Sequence, residues 1–596
     1  MDFFDHQARA RRRTVLLVGY FLAALAAVTA AVNLCAWLIG RWLHPDLSWR
    51  DWLLSNAGLA LTAATLAVLI GGSLRKAWQL REGGPALARL LGAREVPAQP
   101  RDARHRRLLQ VVEEMSLAAG TVPPRTYVLE REDGINALVA GLTPSSTVLV
   151  VTRGALERLS RDELQGVVAH EFSHILNADM RLNLRLLAAL AGVLAIGKVG
   201  EFLLHATTGD GHRRGLPLFA LGGVLLMAIG FAGLFFGRLI KAAISRQRER
   251  LADASAVQFT RQPAGLAGAL IKIRQEGSHL RSLHAEDLSH MAFAETLGLR
   301  WRRLLATHPS LDQRLRALGA DWPVRARVRA RQARAPSSAA SARVGHLDAA
   351  NLGYARSLLA SIPDDLQRAL HTQEGAECVL YALVLGATPP PPALRRGRRG
   401  ALVEQVRGLG TRLRLPLLDL AVATLRQAPE RRRPVIVAQL QAITRHRGQD
   451  DLLCRALAAI ARQALTPPKR RLPGLEIHRL SAVANEIQVV FSVLAWAGDS
   501  ARTTALAAFQ RATHGLLPPG RLLLPPDRCG PPRLQTAVDR LTRLTPLLKA
   551  PLIDAAADLV LSDGQVQVAE AELLRALCAL LDCPMPPLFR SALDNI

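Results

Sequence analysis

Residues 170 to 174 read His-Glu-Phe-Ser-His. On a helix, positions i and i+4 share a face, so both imidazoles can reach one ion. Imidazole nitrogen is a favoured zinc ligand. Glu171 would stand beside the ion, placed as general base to take a proton from the water that zinc acidifies. A catalytic zinc site uses three protein ligands and keeps a fourth position open, so a third ligand is required. Ile175 through Met180 lack the Gly and His that a metzincin carries after its second histidine. Asp179 and Glu249 remain, and Glu249 is the better candidate. Residues 246–254 read Arg-Gln-Arg-Glu-Arg-Leu-Ala-Asp-Ala. Glu249 and Asp253 are spaced i, i+4 on a helical stretch. Glu249 can bind the ion while Asp253, one turn on, hydrogen-bonds a ligand imidazole from behind. A solvated charged helix would read the same way locally. The position of this one, just after an apolar run from which it can fold back to the histidines, favours the ligand.

The elements that must hold these residues can be read next. Ser160 is a good N-cap with Glu163 three residues on, the pattern of a capping box, so a helix starts there and carries both histidines. The runs Arg125 to Leu129, Ile135 to Ala140 and Thr147 to Val151 read as strands of a small sheet beside that helix. An edge of that sheet could hold an extended peptide by strand addition. Thr14 to Gly40 and Leu53 to Leu74 carry no charge, and each exceeds the roughly 20 apolar residues that cross a bilayer as a helix. Arg9 and Arg11 to Arg13 precede this pair and Arg75, Lys76 and Arg81 follow it, which puts both ends in the cytoplasm. Leu216 to Gly237 is a further uncharged run, and Leu186 to Gly197 a shorter one leading into Lys198 and Glu201. His174 and Glu249 flank this region and must meet. Both runs therefore cross, or neither does, and the longer run argues that both do.

The formal net charge is +27, carried mostly by arginine in clusters next to the apolar runs. That placement fits an anionic bilayer surface. Aromatic residues make up 4% of the chain, too few for a base-stacking surface, and no nucleic-acid motif is present. The six cysteines form no C-x-x-C pair and read as buried thiols in a reducing compartment.

From Met1 to about Ala320 the chain resembles the HtpX-like heat-shock metalloproteases, gluzincins related to the CAAX prenyl protease. The resemblance is carried by Ile135-Asn136-Ala137, by Val150 to Gly154, and by the helix from Leu159 through His-Glu-Phe-Ser-His to Asp179. Arg248-Glu249 through Ala254 and Thr307-His308-Pro309-Ser310 complete it. It implies zinc held by His170, His174 and Glu249, Glu171 as base, and a site facing the cytoplasm at the surface of a bacterial inner membrane. It places Asn136 and Ala137 on the substrate side, although Leu138 stands where the family usually has an aromatic. It also implies a role for His308, which could hydrogen-bond the tetrahedral oxyanion. The fold expected is that of a mainly α membrane protein. It would have four transmembrane helices, a gluzincin catalytic domain with a small β-sheet, and then an α-helical C-terminal region.

The expected domains are an N-terminal transmembrane hairpin (1–82) and a metalloprotease domain (83–322) that includes a second hairpin (184–241). A basic linker (323–345), a helical region (346–465) and a C-terminal helical domain (466–596) follow. The last of these resembles TerB-like domains around Asp563-Gly564. No second catalytic motif appears there, and Leu559 and Leu561 break the alternating acidic pattern of an EF-hand loop. The function expected is zinc-dependent endoproteolysis of membrane or unfolded proteins in quality control, with protein substrates and the lipid bilayer as partners and no nucleic acid. The alternatives are a processing protease with few substrates and a non-enzymatic scaffold that keeps a metal site; an intact Glu171 speaks against the scaffold.

Overall fold

The computed structural model describes residues 3–143, 146–177, 179–208, 217–276, 311–318, 340–445, 452–466, 477–498, 502–518, 520–560 and 568–587. Its first element, α1 (Phe3–Leu43), is a single helix, followed by the short α2 (Trp49–Leu54) and by α3 (Asn56–Gln79). α1 and α3 pack as a hairpin. Buried Asn33 joins them, its Nδ2 donating to Thr62 Oγ1 at 3.0 Å while its Oδ1 accepts from Trp52 Nε1 at 3.3 Å. In an apolar surrounding such amide contacts favour one packing of the helices.

After α4 (Gly84–Leu90) comes a four-stranded sheet of β1 (Arg94–Glu95), β2 (Arg125–Leu129), β3 (Ala137–Ala140) and β4 (Val148–Thr152), in the order β1-β2-β4-β3. The three strands expected from sequence are present. The second begins at Ala137 and the third runs one residue further than the pattern suggests. β2 and β4 are parallel, and the outer strands run antiparallel to them. The strand side chains alternate between two cores. Val128, Val139, Leu149 and Val151 pack with α5 (Ala103–Ala119), α7 (Arg161–Leu176) and α10 (Pro263–Glu276). Tyr127, Leu138, Val148 and Val150 pack with α4 and the start of α8 (Asp179–Thr208). α6 (Arg153–Arg158) links the sheet to α7.

Among the described residues, three helical segments are long and apolar enough to cross a membrane: Leu22–Leu43, Asn56–Gln79 and Leu184–His205. The last is longer than its uncharged stretch suggests, because α8 continues unbroken past Lys198 and Glu201. The run expected over Leu216 to Gly237 lies at the start of α9 (Pro217–Thr260). Within the described residues it forms the shorter apolar stretch Ala220–Gly233.

α11 (Leu311–Ala317) packs on α10. The C-terminal half begins with α12 (Ala349–Ala360) and α13 (Asp364–Leu370), and the helices after them share one large core. α14 (Arg414–Leu425) lies against α5, and α15 (Pro546–Val560) lies against α1. The last proline of the tetraproline Pro389–Pro392 opens a short 3-10 turn, Pro392–Leu394.

Candidate metal centre

α7 starts at the expected capping box: Glu163 N donates to Ser160 Oγ, and Ser160 N donates to the Glu163 carboxylate. Gly166 lets α10 press close on this helix, since a Cβ there would lie 2.7 Å from Leu266 N. His170 and His174 sit one turn apart, with ring centroids 5.0 Å apart and planes at 80°. α9 delivers Glu249 to the same place. His170 Nε2 lies 3.5 Å from Glu249 Oε2, and His174 Nε2 lies 3.5 Å from Glu249 Oε1. All three ligating groups fall within 4.8 Å of one another. A tetrahedral ion bound at about 2.1 Å by nitrogen and oxygen separates its ligand atoms by about 3.4 Å, so the cluster fits such an ion. Glu171 is buried on the same helix.

Behind the cluster, His170 Nδ1 lies 2.9 Å from Asp253 Oδ1. A hydrogen bond from Nδ1 fixes the tautomer that leaves the Nε2 lone pair for a metal. Asp253 is held in turn by Arg314 of α11, with Nε to Oδ2 at 2.8 Å and Nη2 to Oδ1 at 2.6 Å. Burial disfavours the charged Asp253 carboxylate, but Arg314 and His170 outweigh it and bring its pKa to about 2. Burial likewise opposes the His170 imidazolium, yet Asp253 and Glu249 raise its pKa. That direction reports a negative potential at the imidazole. Glu171, Glu249 and Asp253 are three buried carboxylates against one buried guanidinium, a balance suited to a divalent cation.

Arg314 escapes a motif-level reading, although a signal for it exists. It lies within the apolar stripe Leu311, Leu315, Leu318, where a charge must find a buried partner. Asn136 stands at the entry to the edge strand β3. Its carbonyl accepts from Thr152 N and Oγ1, and its Oδ1 accepts from Ala137 N at 3.0 Å. Asp179 opens α8. His308 lies outside the described residues.

Residues 102–321 match the profile of peptidase family M48. A protease HtpX homolog of Dictyoglomus thermophilum is 38% identical over 218 residues, covering 36% of this chain and 70% of that protein. Another from Dictyoglomus turgidum is 36% identical over 211 residues, covering 35% and 68%. A protease HtpX homolog of Streptococcus pneumoniae serotype 19F is 30% identical over 326 residues, covering 53% of this chain and 98% of that protein. The crystal structure of S. mikatae Ste24p aligns over 52% of this chain and 66% of that one, at 17% identity and a TM-score of 0.27, too low to bear on the fold.

Proposed function

The chain belongs to peptidase family M48, the HtpX-like membrane metalloproteases, and from that premise we propose that it is a zinc-dependent endopeptidase acting on membrane or unfolded proteins at the cytoplasmic face of the bacterial inner membrane, in protein quality control. The observation that carries this reading is the buried cluster of His170, His174 and Glu249 on α7 and α9, with Glu171 beside it. Zinc held by these three would supply Lewis acidity toward water and a peptide carbonyl. Glu171 takes the proton that the attacking water gives up and passes it to the leaving amine. Asp253 and Arg314 keep His170 in its metal-binding tautomer. β3 has no strand on its outer side among the described residues, so an extended peptide can pair there, near Asn136 and Ala137. That mode selects flexible or unfolded segments. The role of His308 at the oxyanion rests on the family resemblance.

The orientation rests on the basic residues that flank the first hairpin. The C-terminal half, which has no counterpart in the S. pneumoniae relative, favours a second reading in which the enzyme processes a few dedicated substrates.

Glu171→Gln tests the mechanism. It should leave zinc bound and lower cleavage of an unfolded test protein by roughly 10²–10⁴-fold or more. Cleavage that survives the change would rule out Glu171 as the base. Comparing membrane-protein fragments in cells with the active and the Glu171→Gln enzyme separates the two readings. Many accumulating substrates indicate quality control, and one or two indicate processing.

A further inference from the structure

The S. pneumoniae relative is matched over 98% of its length by 53% of this chain, so what remains here is additional to that protein. Part of the addition is built into the catalytic core. Leu347, Leu352 and Ala355 share a single buried cluster with Val167, Val168 and Phe172 of α7. α12 lies along α5 and touches α9.

From α12, Arg356 reaches the helix that carries the histidines. Its Nη2 donates to Gln165 Oε1 at 2.9 Å and its Nε to Glu114 Oε2 at 3.0 Å. The other oxygen of Glu114 accepts from Arg161 Nη2, in the first turn of α7, at 2.5 Å. Gln165 is buried, and among the described residues its Nε2 has no hydrogen-bond partner, so Arg356 supplies the side-chain amide with its hydrogen bond. Arg161 and Gln165 form one i, i+4 stripe of α7. His170 and His174 form another, about 180° round the helix at 100° per residue. The clamp therefore grips the face of α7 turned away from the metal cluster. Ring nitrogens about 6 Å from the helix axis move about 1 Å for every 10° of rotation, a misplacement on the scale that costs about a hundredfold in rate.

We propose that Arg356 is a positioning residue for proteolysis: through Gln165 and Glu114 it sets the rotation of α7 at which His170, Glu171 and His174 face Glu249. The proposal rests on the metalloprotease reading of that site. It makes the C-terminal half a working part of the catalytic unit.

The test uses the full chain in nanodiscs, loaded with zinc for kinetics or with cobalt for visible absorption. Arg356→Met should lower kcat roughly tenfold or more while KM stays within about twofold, and should shift the cobalt bands. Arg356→Lys keeps the charge but loses the two-pronged geometry. It should fall between wild type and Arg356→Met in both readouts, and it decides the matter if Arg356→Met does not fold. Glu114→Gln should act in the same direction, with a double variant no worse than the stronger single one. A kcat within twofold of wild type, or an unchanged cobalt spectrum, overturns the proposal even if the melting temperature drops. If the protein proved to have no peptidase activity, the cobalt spectrum would still report on the clamp, so the two failures remain distinguishable.

Discussion

Oδ1 of Asp253 lies 2.9 Å from Nδ1 of His170, and the same carboxylate is gripped by both prongs of the buried Arg314 guanidinium. α9, α7 and α11 thus meet in one buried chain of charge. Each member justifies the next: the imidazole needs an acceptor, the acceptor needs a cation, and burial makes each lone member expensive. Removing one partner of a buried pair leaves the other charge uncompensated, at about 3–5 kcal/mol. Arg314→Met should therefore destabilise the fold by about that amount in denaturant titrations. Asp253→Asn should weaken metal affinity by roughly 10–100-fold in chelator competition, because the imidazole loses its charged acceptor. Equal affinities for wild type and Asp253→Asn would remove Asp253 from the site.

A second expectation concerns pH. Burial, reinforced by Glu114, lifts the Glu113 carboxyl from 4.5 to about 8, and burial lowers the pKa of His371, whose Nδ1 lies 3.7 Å away. Unfolded Glu113 gives up its proton near 4.5, whereas the folded form keeps it to about 8. The unfolded state binds fewer protons across that window, so stability falls as pH rises through it. His371 has the opposite sign, adding stability with rising pH, but only up to its ordinary value of 6.5. Above pH 6.5 His371 no longer offsets the Glu113 effect. Glu113→Gln should flatten the fall of melting temperature there and gain about 1–3 kcal/mol at pH 8, less than the full shift because the side chain is 17% exposed. Parallel curves for the two proteins would contradict this.

Gln427, just after α14, closes the end of the sheet remote from β3. Its Oε1 accepts from Ala98 N at 3.2 Å and its Nε2 donates to Val96 O at 3.3 Å, so one side-chain amide serves both a backbone donor and a backbone acceptor beyond β1. Gln427→Ala should cost about 1–2 kcal/mol and speed amide hydrogen exchange at residues 96–98. It should leave kcat alone, in contrast to Arg356→Met. A large kcat loss would mean that this end of the sheet also shapes the site.

Much of the catalytic half is legible from sequence because its signals are local. A capping box fixes where α7 begins, and i, i+4 spacing puts the two histidines on one face. Uncharged runs announce α1, α3 and α8. Arg314 and Arg356 are not legible in the same way, because their meaning depends on partners 61 and 191 residues away. Arg314 leaves a trace by interrupting an apolar stripe. Arg356 leaves none, being a partly exposed arginine among many, and only the docking of α12 on α5 gives it Glu114 and Gln165. The uncharged run alone understates the length of α8 for a related reason. Lys198 and Glu201 look like a helix end in one dimension, yet they simply point outward from a continuous helix.

The last prediction follows from the way the two halves of the metal cluster are joined. α8 and α9 pack at small residues: a Cβ on Gly230 would lie 2.4 Å from Gly197 N, so nothing larger than glycine fits without moving the helices apart. α9 is continuous from Pro217 to Thr260 and carries Glu249 on its far part. Nineteen residues of helix between Gly230 and Glu249 make a lever of roughly 29 Å, on which a tilt of about 5° displaces Glu249 by about 2.5 Å. Gly230→Leu should therefore lower bound metal and activity together, beyond the 1–3 kcal/mol that overpacking itself costs. Gly222→Leu, on the same helix, is the control, because a Cβ there meets nothing within 4 Å, and it should leave metal content unchanged. Metal analysis of both purified variants decides the question. If Gly230→Leu keeps its full metal complement, the hairpin does not act as a lever on the site, and Glu249 is held by the protease core alone.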